Sequence, residues 1–170
     1  MIEILILYEL SKKTSTMYGI SKEIKSDLSV LTIPSIGTIK PALIRLEASG
    51  FIKSSKSLSK GGRPSVYYSI TDAGKIGLRA YIKFPIKENP VQFLTSARVR
   101  LFCADVLLTN ELFELVDMLK TKTASLMADT TKLVNKYDDQ FYPRIVLDNL
   151  NCEYKNFLSL LEGVERACKR

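Results

Sequence analysis

Lysine and arginine are the residues of this chain best supplied for chemistry, and what they can do is neutralise anions. Residues 1–84 carry 13 Lys/Arg against 6 Asp/Glu, whereas residues 85–170 carry 12 of each. The whole net charge of +7 therefore sits in the first half, which points that half alone toward a polyanion. Catalytic chemistry is poorly supplied. The chain has no His, which removes the commonest general base and metal ligand. Its three cysteines, Cys103, Cys152 and Cys168, show no Cys-x-x-Cys spacing, and an odd number cannot pair fully. They read as small apolar residues in a reducing cytoplasm, with a redox-sensing role as the variant reading. No Gly-rich phosphate loop and no metal-ligand cluster stands in the sequence, so no catalytic residue, metal or cofactor is expected.

At 170 residues, 46% hydrophobic and 25% charged, the chain can bury a core. The apolar opening at residues 1–10 is interrupted by Glu3 and Glu9 and does not read as a secretion signal. No apolar run approaches the ~18 residues that a membrane helix needs.

Two domains are expected, 1–84 and 85–170, joined near the Pro-bearing segment 84–90. In the first, residues 2–12 suit a largely buried helix. Residues 18–29 set Ile20, Ile24 and Leu28 on one face, and residues 39–49 do the same with Ile39, Leu43 and Leu46, with Gly50 as the stop. Pro41 sits harmlessly in the first turn if Thr38 is the cap, but must kink the helix if the helix begins at Ser35. Residues 51–58 and 66–70 read as strands around a basic loop with a glycine pair, and of Tyr67 and Tyr68 one is expected inside and one outside. Thr71 then caps a fourth helix. After the linker, a helix is expected over 93–108, a second from a cap at Asn110, and a last one carrying a heptad seam.

This order is that of a winged helix-turn-helix: three helices plus a two-stranded wing, in a mainly α chain. In such a fold the third helix presents its N-terminal residues to base edges in the major groove of double-stranded DNA, and the wing lies along the backbone. The residues expected to touch DNA are Tyr18, Lys22 and Lys25 on the second helix, Ser35, Thr38, Lys40 and Arg45 on the third, and Lys60 and Arg63 in the wing loop. Tyr18 could equally be a core aromatic. Lys40 and Arg45 could be solvated surface charges, Arg45 pairing with Glu47 or another acidic neighbour.

Three blocks carry a family resemblance. Residues 35–52, SIGTIKPALIRLEASGFI, resemble the S-x-GTIYPAL-x-RLE signature of PadR-family transcriptional regulators. Residues 18–24, YGISKEI, and 62–74, GRPSVYYSITDAG, resemble that family's segments before and after it. The blocks span about residues 2–80 in the family's order. Lys40 stands where the signature has Tyr, Ile20 follows Tyr18-Gly19 where an acidic residue is usual, and Val66 replaces the wing's second basic residue. The resemblance implies a dimeric prokaryotic regulator of the repressor type, working in the cytoplasm on an inverted repeat in a promoter and pairing through a helical C-terminal domain.

The second half suits that pairing. Leu112, Leu119, Leu126 and Leu133 recur every seven residues, and Leu147, Leu150, Tyr154, Phe157, Leu161 and Val164 step by three and four. A coiled-coil-like homodimer through the latter seam is expected, against an in-chain helical bundle. Phe93, Phe102, Phe113, Phe141, Tyr142 and Tyr154 could line a cavity for a small-molecule effector or be plain core. The competing function is a helical adapter whose winged module contacts protein rather than DNA.

Overall fold

The structure, a computed structural model, describes residues 1–58, 62, 64–87 and 89–168. It is mainly helical, and the chain divides into two compact units. The first comprises Met1–Ile86 and Thr95–Val106, the second Lys87–Leu94 and Leu107–Arg170.

In the first unit, α1 (Ile2–Lys12) is the central element. Residues 4–10 are all buried, including Glu9, as expected of a helix that is apolar nearly all round. Burial pushes the Glu9 carboxyl up, against the pull of Lys12 at 3.1 Å. Next come β1 (Ser15–Thr16), α2 (Met17–Leu28) and α3 (Ile36–Ala48). Thr16 Oγ1 accepts the Gly19 N–H at 3.1 Å and so starts α2. The expected inward faces hold: Ile20, Ile24 and Leu28 are buried, as are Ile39, Leu43 and Leu46.

Strands β2 (Ile52–Leu58) and β3 (Pro64–Ile70) form the wing, followed by α4 (Asp72–Lys83). The sheet has three strands in the order β1-β3-β2, not the two expected. Ser15 and Thr16 pair antiparallel with Tyr68 and Tyr67. This makes β3 the central strand, and it explains a second departure: Tyr67 and Tyr68 are both half-buried instead of one in and one out.

Helix α3 ends in a Schellman turn. Gly50 takes φ +73°, its N–H donates to the Glu47 carbonyl, and the Phe51 N–H donates to the Leu46 carbonyl. Thr71 clasps this turn to the start of α4. Its hydroxyl lies 2.7 Å from the Gly50 carbonyl and 3.1 Å from the Phe51 carbonyl, and accepts the Gly74 N–H at 3.0 Å. Gly74 lies directly over Phe51: a Cβ there would stand 2.0 Å from the Phe51 carbonyl oxygen.

Helix α5 (Pro90–Phe102) begins three residues before the expected start and stops six before the expected end. Asn89 Oδ1 accepts the Gln92 N–H at 3.1 Å, and Pro90 takes the first helical position, where its missing N–H costs nothing. A 3-10 turn (Ala104–Val106) follows. In the first unit, the Phe102 ring meets Tyr8 edge-on at 6.1 Å, and Cys103 is buried. Burial, reinforced by Asp105, pushes the Cys103 thiol up to about 12, so it stays protonated at neutral pH. A thiol reagent added to the native protein is expected to label the exposed Cys152 and to spare Cys103 until the chain is unfolded. Peptide mapping of labelled protein checks this, and rapid native labelling of Cys103 would contradict it.

In the second unit, α6 (Thr109–Lys136) packs with α7 (Phe141–Cys168). Asn110 is not its cap. Leu108 holds that position, and the Glu111 carboxylate reaches back to the Leu108 N–H at 3.0 Å. Of the expected dimer seam, Tyr154, Phe157 and Leu161 are buried within the single chain, and Leu147, Leu150 and Val164 are half-buried. Phe93 packs edge-on against Phe157 at 6.4 Å, and Lys120 pairs with Glu165. Buried Thr123 and Thr130 return their hydroxyls to the Leu119 and Leu126 carbonyls. Of the aromatics considered for an effector cavity, Phe93 and Tyr154 are core, Phe113 is half-buried, Phe102 belongs to the first unit, and Phe141 and Tyr142 are exposed and meet edge-on at 5.3 Å. No helix among the described residues is long and apolar enough to cross a membrane.

Candidate nucleic-acid interface

The N-terminal end of α3 is built by Ser35. Its Oγ accepts the Thr38 N–H at 3.2 Å and lies 3.0 Å from the Thr38 hydroxyl. Ser35 is thus the cap, as in the second alternative, Thr38 is a first-turn residue, and Pro41 lies inside an α3 that runs unbroken from Ile36 to Ala48. The carbonyl of Gly37, four residues before Pro41, consequently has no N–H donor from that position. Ser35, Thr38 and Lys40 are exposed at this end, where partial positive charge favours a phosphate.

Two sets stand out among the cations of the first unit. Some are tied by carboxylates: Lys12 to Glu9 and to Asp27 at 3.5 Å, Lys13 to Glu23 at 3.0 Å, Lys75 to Asp72 at 2.9 Å, and Arg45 to Glu3. The Arg45 pair shows in the carboxylate itself: although burial opposes it, the guanidinium holds Glu3 below the usual range. Arg45 is therefore engaged with α1 across 42 positions of sequence. The other set, Lys22 and Lys25 on α2, Lys40 on α3, and Lys53 and Lys56 on β2, is exposed and carries no ion pair among the described residues. Tyr18, at the start of α2, is 72% exposed, so it is not a core aromatic.

Lys53 and Lys56 were not singled out from the sequence. The signal was present: residues 53–57, KSSKS, have no apolar residue on either face of the strand, so both faces meet solvent. The strand is moored to α3 by the Ser54 N–H, which donates to Glu47 Oε1 at 3.2 Å. Lys60 and Arg63, expected to be the wing's contacts, lie outside the described residues.

A helix-turn-helix followed by a two-stranded wing, capped at the N-terminus of its third helix and edged by lysines with no ion pair among the described residues, defines the winged-helix class. The description "Transcriptional regulator PadR-like family" matches residues 6–80. A PadR-family transcription regulator from Clostridium difficile is 35% identical, over 47% of this chain and 81% of that one, with TM-score 0.42. A transcriptional regulator from Clostridium thermocellum is 30% identical over 46% and 76%, with TM-score 0.43. Bacillus subtilis PadR, solved in complex with operator DNA, is 21% identical over 98% of both chains, with TM-score 0.46. No curated protein matches the chain. Residues 6–80 of this chain belong to the PadR-like family of transcriptional regulators.

Proposed function

We propose that the chain binds double-stranded DNA in a promoter as a homodimer and acts there as a repressor, in the cytoplasm and without catalysis of its own. The observation that carries this reading is the split among the cations: five lysines on α2, α3 and β2 are exposed and unclaimed, inside a unit that holds the chain's whole charge surplus. Affinity then comes from phosphate neutralisation by these lysines, with Lys60 and Arg63 of the wing loop and the Tyr18 hydroxyl added. Register comes from Ser35 and Thr38 at the end of α3. Arg45, held by Glu3, supports the helix position instead of touching DNA.

Self-association is assigned to the second unit. Because Tyr154, Phe157 and Leu161 are taken up within the chain, the surface assigned to a second copy is the run of exposed Phe141, Tyr142, Ile145 and Val146 at the start of α7, with half-buried Leu147 and Leu150 beside them.

Selection of bound duplexes from random sequence tests the proposal. An inverted repeat with half-site centres about one helical turn apart, ~34 Å, is the expected result. Enrichment of single half-sites would remove the dimer. No enrichment at all, together with binding too weak to saturate, would remove the DNA reading and leave a protein-contacting adapter.

A further inference from the structure

The outermost line of α3 is apolar. Gly37, Pro41, Ile44 and Ala48 follow steps of four, three and four, so they lie in one row along the helix. All four are exposed, whereas Ile39, Ala42, Leu43 and Leu46 are buried. At about 100° per residue the two sets centre about 180° apart, so the row is the part of α3 farthest from the core. Polar side chains stand only on its borders: Lys40 and Glu47 along one, Thr38 and Arg45 along the other. This inverts the usual pattern, in which the middle of the solvent face is the most polar part of a helix. Ile44 is the one large, branched side chain in the row, and it is 59% exposed.

A partner fitted to this face must offer apolar groups in a row, with negative charge beside Lys40 at the N-terminal end of the helix. Duplex DNA does so in its major groove, where the apolar group on the base edges is the thymine 5-methyl and the walls are phosphates. The exposed lysines Lys22, Lys25 and Lys40 supply the matching charge. Glycine and alanine at the two ends of the row let the backbone approach closely, so that Ile44 reaches the groove floor.

We infer that Ile44 is a specificity residue that reads thymine methyl groups, with Pro41 beside it. The operator half-site then contains at least one thymine whose methyl packs on the Ile44 side chain, and sequence choice at that base pair is hydrophobic in origin. The inference rests on the DNA-binding reading above.

The test uses the full-length chain and a duplex recovered by selection. Each half-site thymine is replaced in turn, in both half-sites, by deoxyuridine, which keeps the hydrogen-bonding edge and lacks only the methyl. Fluorescence anisotropy is expected to show one position at which affinity falls about tenfold for the two half-sites together, as loss of a buried methyl on each side would give. Ile44→Ala is expected to lose a similar factor on the thymine duplex and to show no further loss on the deoxyuridine one. Because Ile44 is exposed, this variant keeps the fold, which its melting temperature verifies. Three results would overturn the inference while leaving DNA binding intact: half-sites without thymine, no position sensitive to the methyl, or an undiminished deoxyuridine penalty in Ile44→Ala. Failure to bind any duplex would instead bring down the DNA reading itself, and a protein partner whose capture depends on Ile44 would then account for the row.

Discussion

Alanine at Lys22, Lys25 and Lys40 together is expected to lower affinity for any duplex by about a hundredfold or more at moderate salt, and to do so without regard to sequence. The three ammonium groups are exposed and unpaired among the described residues, so what they lose on substitution is contact with a partner and not contact within the fold. Each phosphate neutralised contributes roughly 0.9 to the slope of log affinity against log salt, so two protomers losing three contacts each should flatten that slope by about 5. A salt series followed by anisotropy measures it. The melting temperature should hold or rise slightly, since seven surplus positive charges repel one another. The control is Lys12→Ala with Lys13→Ala. Those lysines hold Glu9, Asp27 and Glu23, so their loss should move stability and leave the slope nearly intact. A slope unchanged in the triple variant would take α2 and the start of α3 off the DNA.

Gly74→Ala is expected to be the most destabilising single-methyl change in the first unit, by about 3 kcal/mol or more, which is overpacking against atoms that cannot yield. The new Cβ would stand 2.0 Å from the Phe51 carbonyl oxygen and 2.8 Å from Ile70 Cγ1. That carbonyl is also the acceptor for the Thr71 N–H at 3.0 Å and the neighbour of its hydroxyl. To make room, the start of α4 has to leave the turn that ends α3, and the Thr71 clasp opens with it. Gly77→Ala is the comparison. Its Cβ would meet the Phe51 ring at 2.7 Å, a side chain that can rotate away from Gly77 at the expense of its edge contact with Tyr81. Thermal unfolding should rank the two, with Gly74→Ala lower by roughly 10 °C or more than the parent. Equal, small shifts for both would mean that α4 is not held against Phe51 as described.

The parts of the fold readable from sequence are those whose cause is local. Ile20, Ile24 and Leu28 announce a buried helix face by spacing alone, Gly50 announces a stop because its φ is positive, and Thr71 announces a cap. The parts that escaped are set by distant partners. Ser15 and Thr16 have no strand pattern of their own and become β1 only because β3 offers them a free edge. Asn89 and Pro90 look like linker until the Asn89 side chain is seen capping α5. For the candidate site, exposure of Lys22, Lys25 and Lys40 followed from their place off the buried apolar faces. The fate of Arg45 did not, because Glu3 is far away in sequence. Nor did the apolar row on α3, since a signature read residue by residue draws the eye to its charges and caps.

The return of Thr95–Val106 to the first unit bears on where the gene can be cut. A fragment ending at Phe84, where the proline-bearing segment begins, would lack Phe102 and Cys103 and would uncover the edge of Tyr8, a core side chain of α1. Burial and the nearby Asp105 carboxylate keep that phenol protonated. A minimal DNA-binding fragment should therefore run through Val106, carrying α5 with it. Limited proteolysis of the full chain should likewise leave a stable N-terminal product that ends beyond Val106, with no long-lived species ending near residue 85.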